Sequence, residues 1–268
     1  MRFVGPTVTR GVPRATPRWR LGRLGSVATV TLPKRPTDSQ HSALHRHGRV
    51  PHVRGLVLAA GAGRRMGGPK ALLRVTPDEP TLVERAIDLL TVGGCDGVTV
   101  VVGAAGGEVE LLVRSLGRDI TIAHCPDWDE GMGASLRAGL ASLAASTHEG
   151  EGVTEAVLVT LVDLPDITPD VVARVLDSAD DTGHSPEPRA LGHWRGELRR
   201  AAYGGMPGHP ALIGRDHWEA VAREVGGDQG ARGYFRSHPH DLVECGDLAT
   251  GRDADSPTEL GRLRSDGV

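Results

Sequence analysis

Apolar residues along this chain fall into two alternating rhythms. Short, mostly apolar runs, Leu56–Ala60, Val98–Val102, Ile120–Ala123 and Ala156–Val162, have the length and bounding of strands buried on both faces. Between them the period is helical. Over Thr81–Val92 the side chains of Leu82, Val83, Ala86, Leu89 and Leu90 share one face, and Gly93-Gly94 stops the run. A second helix is expected over Glu108–Leu116, and a third after Ser135, with Leu136, Leu140 and Leu143 along one side. Thr168-Pro169-Asp170 opens a fourth, with Pro near the first helical position. Residues 178–197 read as an irregular, mobile rim, and Leu198–Tyr203 as a further strand. Strands alternating with helices predict an α/β fold, a three-layer sandwich with a mainly parallel, Rossmann-like sheet. In such sheets ligands gather at the carboxyl ends of the strands.

The first part of the chain breaks the rhythm. Residues 1–50 carry ten Lys/Arg and a single acid, Asp38, and are rich in Pro, Thr and Gly. Such a segment predicts a disordered basic extension over residues 1–52. It has the Arg-rich, acid-poor character of a transit peptide without an apolar core for secretion. A start codon placed too far upstream gives the same picture. His41, His45, His47 and His52 read as solvated side chains rather than a metal tract, because nothing fixes their geometry. The folded domain is expected over residues 53–263, with a tail at 264–268.

Of 268 residues, 39% are hydrophobic and only 3% aromatic, so the core must rest on Val, Leu and Ala. No stretch has the apolar length to span a membrane. Cys95, Cys125 and Cys245 are scattered and odd in number, which argues against a disulfide framework or zinc site and for a reducing cytoplasm.

The first apolar run leads into Gly61-Ala62-Gly63-Arg64-Arg65-Met66-Gly67-Gly68-Pro69-Lys70. A strand ending in a glycine-rich basic loop offers unpaired amides and fixed positive charge, the recipe for holding phosphate. It is not a dinucleotide fingerprint, because Met66 stands where the third glycine belongs and no acidic residue follows Val98–Val102. Nor is it a P-loop, since Lys70 follows Pro69 and precedes Ala71.

The loop, L-A-A-G-x-G-x-R-M-G-x-P-K, resembles the signature of the MobA-like NTP transferase family. The similarity is to the branch that includes molybdenum cofactor cytidylyltransferase and nicotine blue oxidoreductase-like relatives. It implies a fold of the nucleotide-diphospho-sugar transferase type. It also implies that Arg65 and Lys70 hold the triphosphate, with Leu58, Ala59, Ala60, Gly61 and Gly63 against the nucleotide. Further segments extend the resemblance over residues 54–262. Trp128-x-x-Gly131-Met132-x-x-Ser135-Leu136 is similar to a family segment near the nucleotide; the alternative is that Ser135 satisfies helix-terminal donors. Asp163-Leu164-Pro165 matches Asp-x-Pro and implies a Mg²⁺ ligand at Asp163 and an acceptor contact at Pro165. The plain alternative is a turn former at Asp163. Leu164 replaces the family's usual Gln and is expected to alter the acceptor pocket.

Gly208-His209-Pro210 implies acceptor contacts at Gly208 and His209, with His209 as a turn cap the alternative. Asp228 and Arg232 read as a pair bracing a loop, or less readily as substrate contacts. Asp253-Ala254-Asp255-Ser256-Pro257 implies a second metal ligand at Asp255; an Asp–Ser helix cap fits the same residues. The resemblance therefore implies Mg²⁺-dependent transfer of CMP from CTP to a phosphorylated acceptor, molybdopterin, with Arg65, Lys70 and Asp163 as the catalytic residues. A monomer is expected, serving a molybdoenzyme or its maturation factor and binding neither nucleic acid nor membrane. An NAD(P)H-dependent oxidoreductase is the alternative.

Overall fold

The computed structural model describes residues 52–146, 153–177, 193–256 and 259–260. The expectations for the extension over 1–51, with His41, His45 and His47, for most of the 178–197 rim and for the 264–268 tail lie outside them. Seven strands form one sheet: β1 (His52–Leu58), β2 (Val98–Val102), β3 (Ile120–His124), β4 (Thr154–Leu161), β5 (Leu198–Tyr203), β6 (Met206–Gly214) and β7 (Asp241–Glu244). Their order is β3-β2-β1-β4-β6-β5-β7. β1 pairs in parallel with β2 and β4, β2 with β3, and β5 with β7. Only β6 opposes its neighbours, pairing antiparallel with β4 and β5.

Among the described residues six helices cover the sheet: α1 (Leu82–Val92), α2 (Gly106–Ser115), α3 (Met132–Ala145), α4 (Pro169–Asp177), α5 (Trp218–Glu224) and α6 (Arg232–Ser237). One core cluster joins Val57, Val100 and Leu158 to Leu82, Leu90, Val113 and Val172 of α1, α2 and α4. The other joins Leu56, Val101 and Val157 to Leu136, Leu140, Val221 and Phe235 of α3, α5 and α6. Adjacent residues of β1 thus feed opposite cores, as strand alternation dictates. Both faces of β2 are buried, which is why its residues read as an apolar run broken only by the buried Thr99.

Helix entry follows the local sequence. Thr81 caps α1, accepting from Glu84 N–H while the Glu84 carboxylate takes the Thr81 amide at 2.6 Å, a reciprocal arrangement contributing about 1 kcal/mol. Boundaries move by a few residues from expectation. β1 begins at His52 and ends at Leu58, so Ala59 and Ala60 belong to the loop. The G-H-P segment, for which the pattern gave no strand, is the middle of β6, with a cis His209–Pro210 bond. This corrects the turn-capping alternative for His209. β7 was also unforeseen, because an edge strand with one buried residue carries no apolar run. The three cysteines are buried and free. Among the described residues no helix is long and apolar enough to cross a membrane.

Candidate active site

The loop after β1 sits at the carboxyl edge of the sheet and is held by its own backbone. Ala59 N–H donates to Val101 O, and Ala60 O accepts from Ala104 N–H, which fixes the loop's root between β1 and β2. Gly63 then takes a left-handed conformation (φ 58°), and its carbonyl accepts from both Met66 and Gly68. A Cβ at Gly63 would stand 1.9 Å from Gly68 O, so only glycine closes this turn. Met66 is buried beneath it as the anchor. No acceptor among the described residues takes the amides of Gly61, Ala62 or Gly63. They remain available to an anion.

Lys70 leaves the loop in the next single turn, Lys70–Leu72, and points at two carboxylates. Its Nζ lies 2.7 Å from Asp163 Oδ2 and 2.6 Å from Asp255 Oδ1. Asp163 stands two residues past the end of β4, and its main-chain oxygen accepts from Ala254 N–H at 2.8 Å. That backbone bond, with Ala254 fully buried, brings the C-terminal segment alongside β4 and places Asp255 opposite Asp163. Asp255 does not cap the turn beyond it. Ser256 Oγ accepts from Glu259 N–H, while the Glu259 carboxylate accepts from Ser256 Oγ–H and Asp255 N–H. Ser256 and Glu259 form the capping box, leaving the Asp255 carboxylate for Lys70.

Electrostatics follow from this geometry. Burial alone would lower the Lys70 pKa, but the hydrogen bonds to Asp163 and Asp255 outweigh it and raise it above the ordinary lysine value. The Lys70 hydrogen bond holds the Asp255 carboxyl below its usual range. Among the described residues Asp163 Oδ1 is buried without a partner, an acceptor that fits a cation better than a turn former. No cluster of three or more metal-binding side chains occurs among the described residues, so a metal here would have two protein carboxylates and take its other ligands from substrate and water. Arg65 reaches over the same site, 82% exposed, with Nη1 3.7 Å from Asp255 Oδ2.

These groups line one cleft of about 510 Å³. Its floor is Leu58, Ala59 and Ala60, one wall is the loop with Arg64 and Arg65, and the other is formed by Trp128, Met132 and Ser135. Ser135 lies inside the first turn of α3 and is buried. The helix cap is Gly131, so the capping alternative for Ser135 fails. Gly131 (φ 109°) lets Asp228 approach, since a Cβ there would stand 2.6 Å from Asp228 Oδ1. Asp228 thus lines the cleft and makes no ion pair with Arg232, which corrects the bracing-pair expectation.

Three more expectations part from the geometry. Leu164 is buried in the core and lines neither the cleft nor the pocket beside His209. Pro165 faces the α1 side, where its carbonyl accepts from Arg85 at 2.9 Å. The turn after Asp163 sends both away from the cleft because their apolar surface has a core to enter on that side. Gly208 gives its carbonyl to Arg200 Nε at 3.2 Å and does not line a cavity itself. His209 lies in a small side pocket with Arg200 and Arg232. Asp129, Arg64 and Arg200 were given no role by the sequence, and Trp128 was named only as part of a family segment near the nucleotide. A charged residue within an otherwise apolar strand was the available signal for Arg200.

Residues 55–242 match the MobA-like NTP transferase domain family. Nicotine blue oxidoreductase of Paenarthrobacter nicotinovorans is 38% identical over 80% of this chain and 97% of its own length. Molybdenum cofactor cytidylyltransferase of Escherichia coli is 24% identical over 60% of this chain and 69% of its own. The crystal structure of Rv0371c from Mycobacterium tuberculosis superposes with a TM-score of 0.59 at 25% identity, covering 80% of this chain and 97% of that one. A complex of Rv0371c with manganese gives 0.55 at 23% identity, covering 81% and 100%. The chain belongs to the MobA-like NTP transferase domain family, and so to the nucleotidyltransferase class of enzymes.

Proposed function

We propose that the chain moves CMP from CTP to the phosphate of a small acceptor of molybdopterin type, in the cytoplasm, releasing pyrophosphate. The observation that carries the reading is the Lys70 ammonium between Asp163 and Asp255, directly below a basic loop with unpaired amides. An oxygen of the acceptor phosphate attacks the α-phosphorus, and the bond from α-phosphorus to the pyrophosphate oxygen breaks in line. Reacting phosphates bring their own nucleophile and leaving group, so the protein's work is positioning and charge stabilisation. Gly61, Ala62 and Gly63 amides and the Arg65 guanidinium hold the β- and γ-phosphates and neutralise charge on the departing pyrophosphate. Ala59 and Ala60 lie against base and ribose, and Ser135 lines the opposite wall.

Asp163 and Asp255 are the residues that would hold Mg²⁺. When bound, the ion polarises the α-phosphate oxygens and offsets the repulsion between attacking and attacked groups. The crystal structure of Rv0371c in complex with manganese supports the use of a divalent metal. Arrival of the triphosphate gives Lys70 a second set of anions, so it can shift from the carboxylates to the α- and β-phosphates. His209, in the side pocket, would meet the acceptor. A molybdoenzyme or its maturation factor would receive the product.

A second reading, NAD(P)H-dependent reduction, is favoured by the oxidoreductase relative at 38% identity. It gives no task to two carboxylates sharing a lysine, and Met66 fills the position of the fingerprint's third glycine. Thermal stabilisation separates the two. A ligand at about 100 times its Kd adds about 2.7 kcal/mol. Stabilisation by CTP with Mg²⁺, and pyrophosphate release on adding molybdopterin, is the expected result. Stabilisation by NADPH alone would replace the transferase reading with the second.

A further inference from the structure

Beside the main cleft and sharing Leu58 and Met132 with it lies a second pocket of about 30 Å³. Its walls are apolar, with Leu136, Ile213 and Phe235 among them, and its polar side chains are Arg200, Arg232, His209 and Gln229. Among the described residues no acidic side chain lines it. The main cleft, by contrast, sets its cations against Asp129, Asp163, Asp228 and Asp255.

Arg200 is the anomaly. It is only 8% exposed on β5, yet among the described residues its one side-chain hydrogen bond is Nε to Gly208 O, and its guanidinium lies 5.2 Å from the Phe235 ring centre. No carboxylate among those residues pairs with it. Its neighbour Arg199, equally buried, is paired with Glu197 at 3.0 Å. Burying a guanidinium without a counter-charge is costly. The nearby Arg232 adds like charge rather than relief, and burial with the two arginines keeps His209 neutral. A planar fork of free donors, a second arginine and an imidazole around a dry-walled recess match an oxyanion.

We propose that Arg200, Arg232 and His209 form a subsite for an oxyanion of the acceptor, phosphate or carboxylate, separate from the phosphate that reacts. The separation follows from the strand. His209 Nδ1 lies 3.4 Å from Val159 O, four residues upstream of Asp163, on the order of 10 Å at the rise of an extended chain. The recess has room for the head of the group only, so the body of the acceptor extends toward the cleft. The assignment of this group to an acceptor rests on the transferase reading; the affinity of the subsite for an oxyanion does not.

The test follows the His209 ring by NMR in the full-length chain, titrated in pH without added anion, with millimolar phosphate and with millimolar acetate. An anion seated between His209 and the arginines favours the imidazolium, so the midpoint should rise by at least about one pH unit, a tenfold change. Phosphate alone acting assigns a phosphoryl head, and acetate acting as well assigns a carboxylate. The rise should vanish in Arg232→Ala, whose exposed side chain can be cut without unfolding, and in Arg200→Gln, and should persist in Arg65→Ala. No rise with either anion, or one that survives Arg232→Ala, overturns the subsite. Stabilisation by Mg²⁺ with CTP is read on the same samples. Its absence in the wild type alongside an intact His209 shift would overturn the transferase reading and leave the subsite standing.

Discussion

Asp163, from the middle of the folded domain, and Asp255, from near its C-terminal end, accept from one ammonium, each within 2.7 Å of Lys70 Nζ. The pairing is built by the backbone: the Ala254-to-Asp163 hydrogen bond registers the C-terminal segment against β4, and Ser256 with Glu259 caps the turn beyond. A divalent ion and a triphosphate would divide this constellation between them, the ion to the carboxylates and the lysine to the phosphates.

Removing either carboxylate should therefore stop transfer without unfolding the protein. Asp163→Ala is expected to lower pyrophosphate release by at least about 10²–10³-fold, the usual cost of one transition-state contact. Its thermal midpoint should stay close to wild type, because it also relieves a buried unpartnered oxygen. Metal-dependent transfer retained at near wild-type rate in that variant would reject the assignment.

Lys70→Met should cost stability as well as activity, since it strands two carboxylates. The side chains of Lys70 and Asp163 are each 17% exposed and Asp255 43%, so the loss falls between a surface and a buried pair, about 1–3 kcal/mol. For a domain of this size that is roughly 2–12 °C in Tm. The pH dependence has a definite sign. Lys70 has a raised pKa, so its contribution is present below the free lysine value and lost only as pH climbs through the higher folded one. Asp255 has a depressed pKa, so its contribution is present above the free aspartate value and lost as pH falls through the lower folded one. Between about pH 5 and pH 9 neither group changes charge, and the Tm gap between variant and wild type should be flat. A gap that closes within that window would mean the pair is not what Lys70 stabilises.

The sequence showed the parallel half of the fold clearly because β2 and most of β4 are buried on both faces and, like β1 and the half-buried β3, carry mostly apolar runs. β6 and β7 were hidden for the opposite reason. β6 opens on the exposed residues Met206 and Pro207 and carries a histidine at its centre, and β7 is a polar edge. Within the site, Lys70, Asp163 and Asp255 could be named from letter patterns, but their meeting depends on the Ala254 backbone bond, which no pattern records. Leu164 and Pro165 were tied to the acceptor pocket because the family's Asp-x-Pro motif carries them beside Asp163. The turn there reverses facing, and adjacency in sequence does not carry over to facing. Arg200 went unnoticed beside Arg199 because both are buried on β5, and only the partners tell them apart.

Two glycines of the phosphate loop should respond differently to the same methyl group. At Gly63 the left-handed backbone and the contact of 1.9 Å with Gly68 O leave no room, so Gly63→Ala must open the turn. A strained site of this kind costs about 1–3 kcal/mol, and nucleotide-dependent stabilisation should disappear with it. At Gly61 a Cβ meets nothing within 4 Å, so Gly61→Ala should leave the Tm of the free protein unchanged. Equal Tm values for the two variants would show that the turn is not closed as described.

His209 should make the protein acid-sensitive in a window of its own. Burial, then the charge of Arg200, lowers its pKa from 6.5 to about 4. Between those values the unfolded chain binds a proton that the folded chain does not, so stability falls as pH drops from 6.5 toward 4. The full shift corresponds to a loss on the order of 3 kcal/mol. His209→Gln keeps a polar side chain while removing the titration, so its stability should decline less steeply than wild type over that interval, with parallel curves above about pH 7. Denaturant unfolding at a series of pH values measures the difference. An oxyanion in the adjacent pocket raises the folded pKa, so phosphate should flatten the wild-type curve toward that of the variant and leave the variant's own slope unchanged. Parallel curves throughout the acid range would mean that the His209 imidazole is free to protonate in the folded protein, and that the arginines beside it exert no effective field.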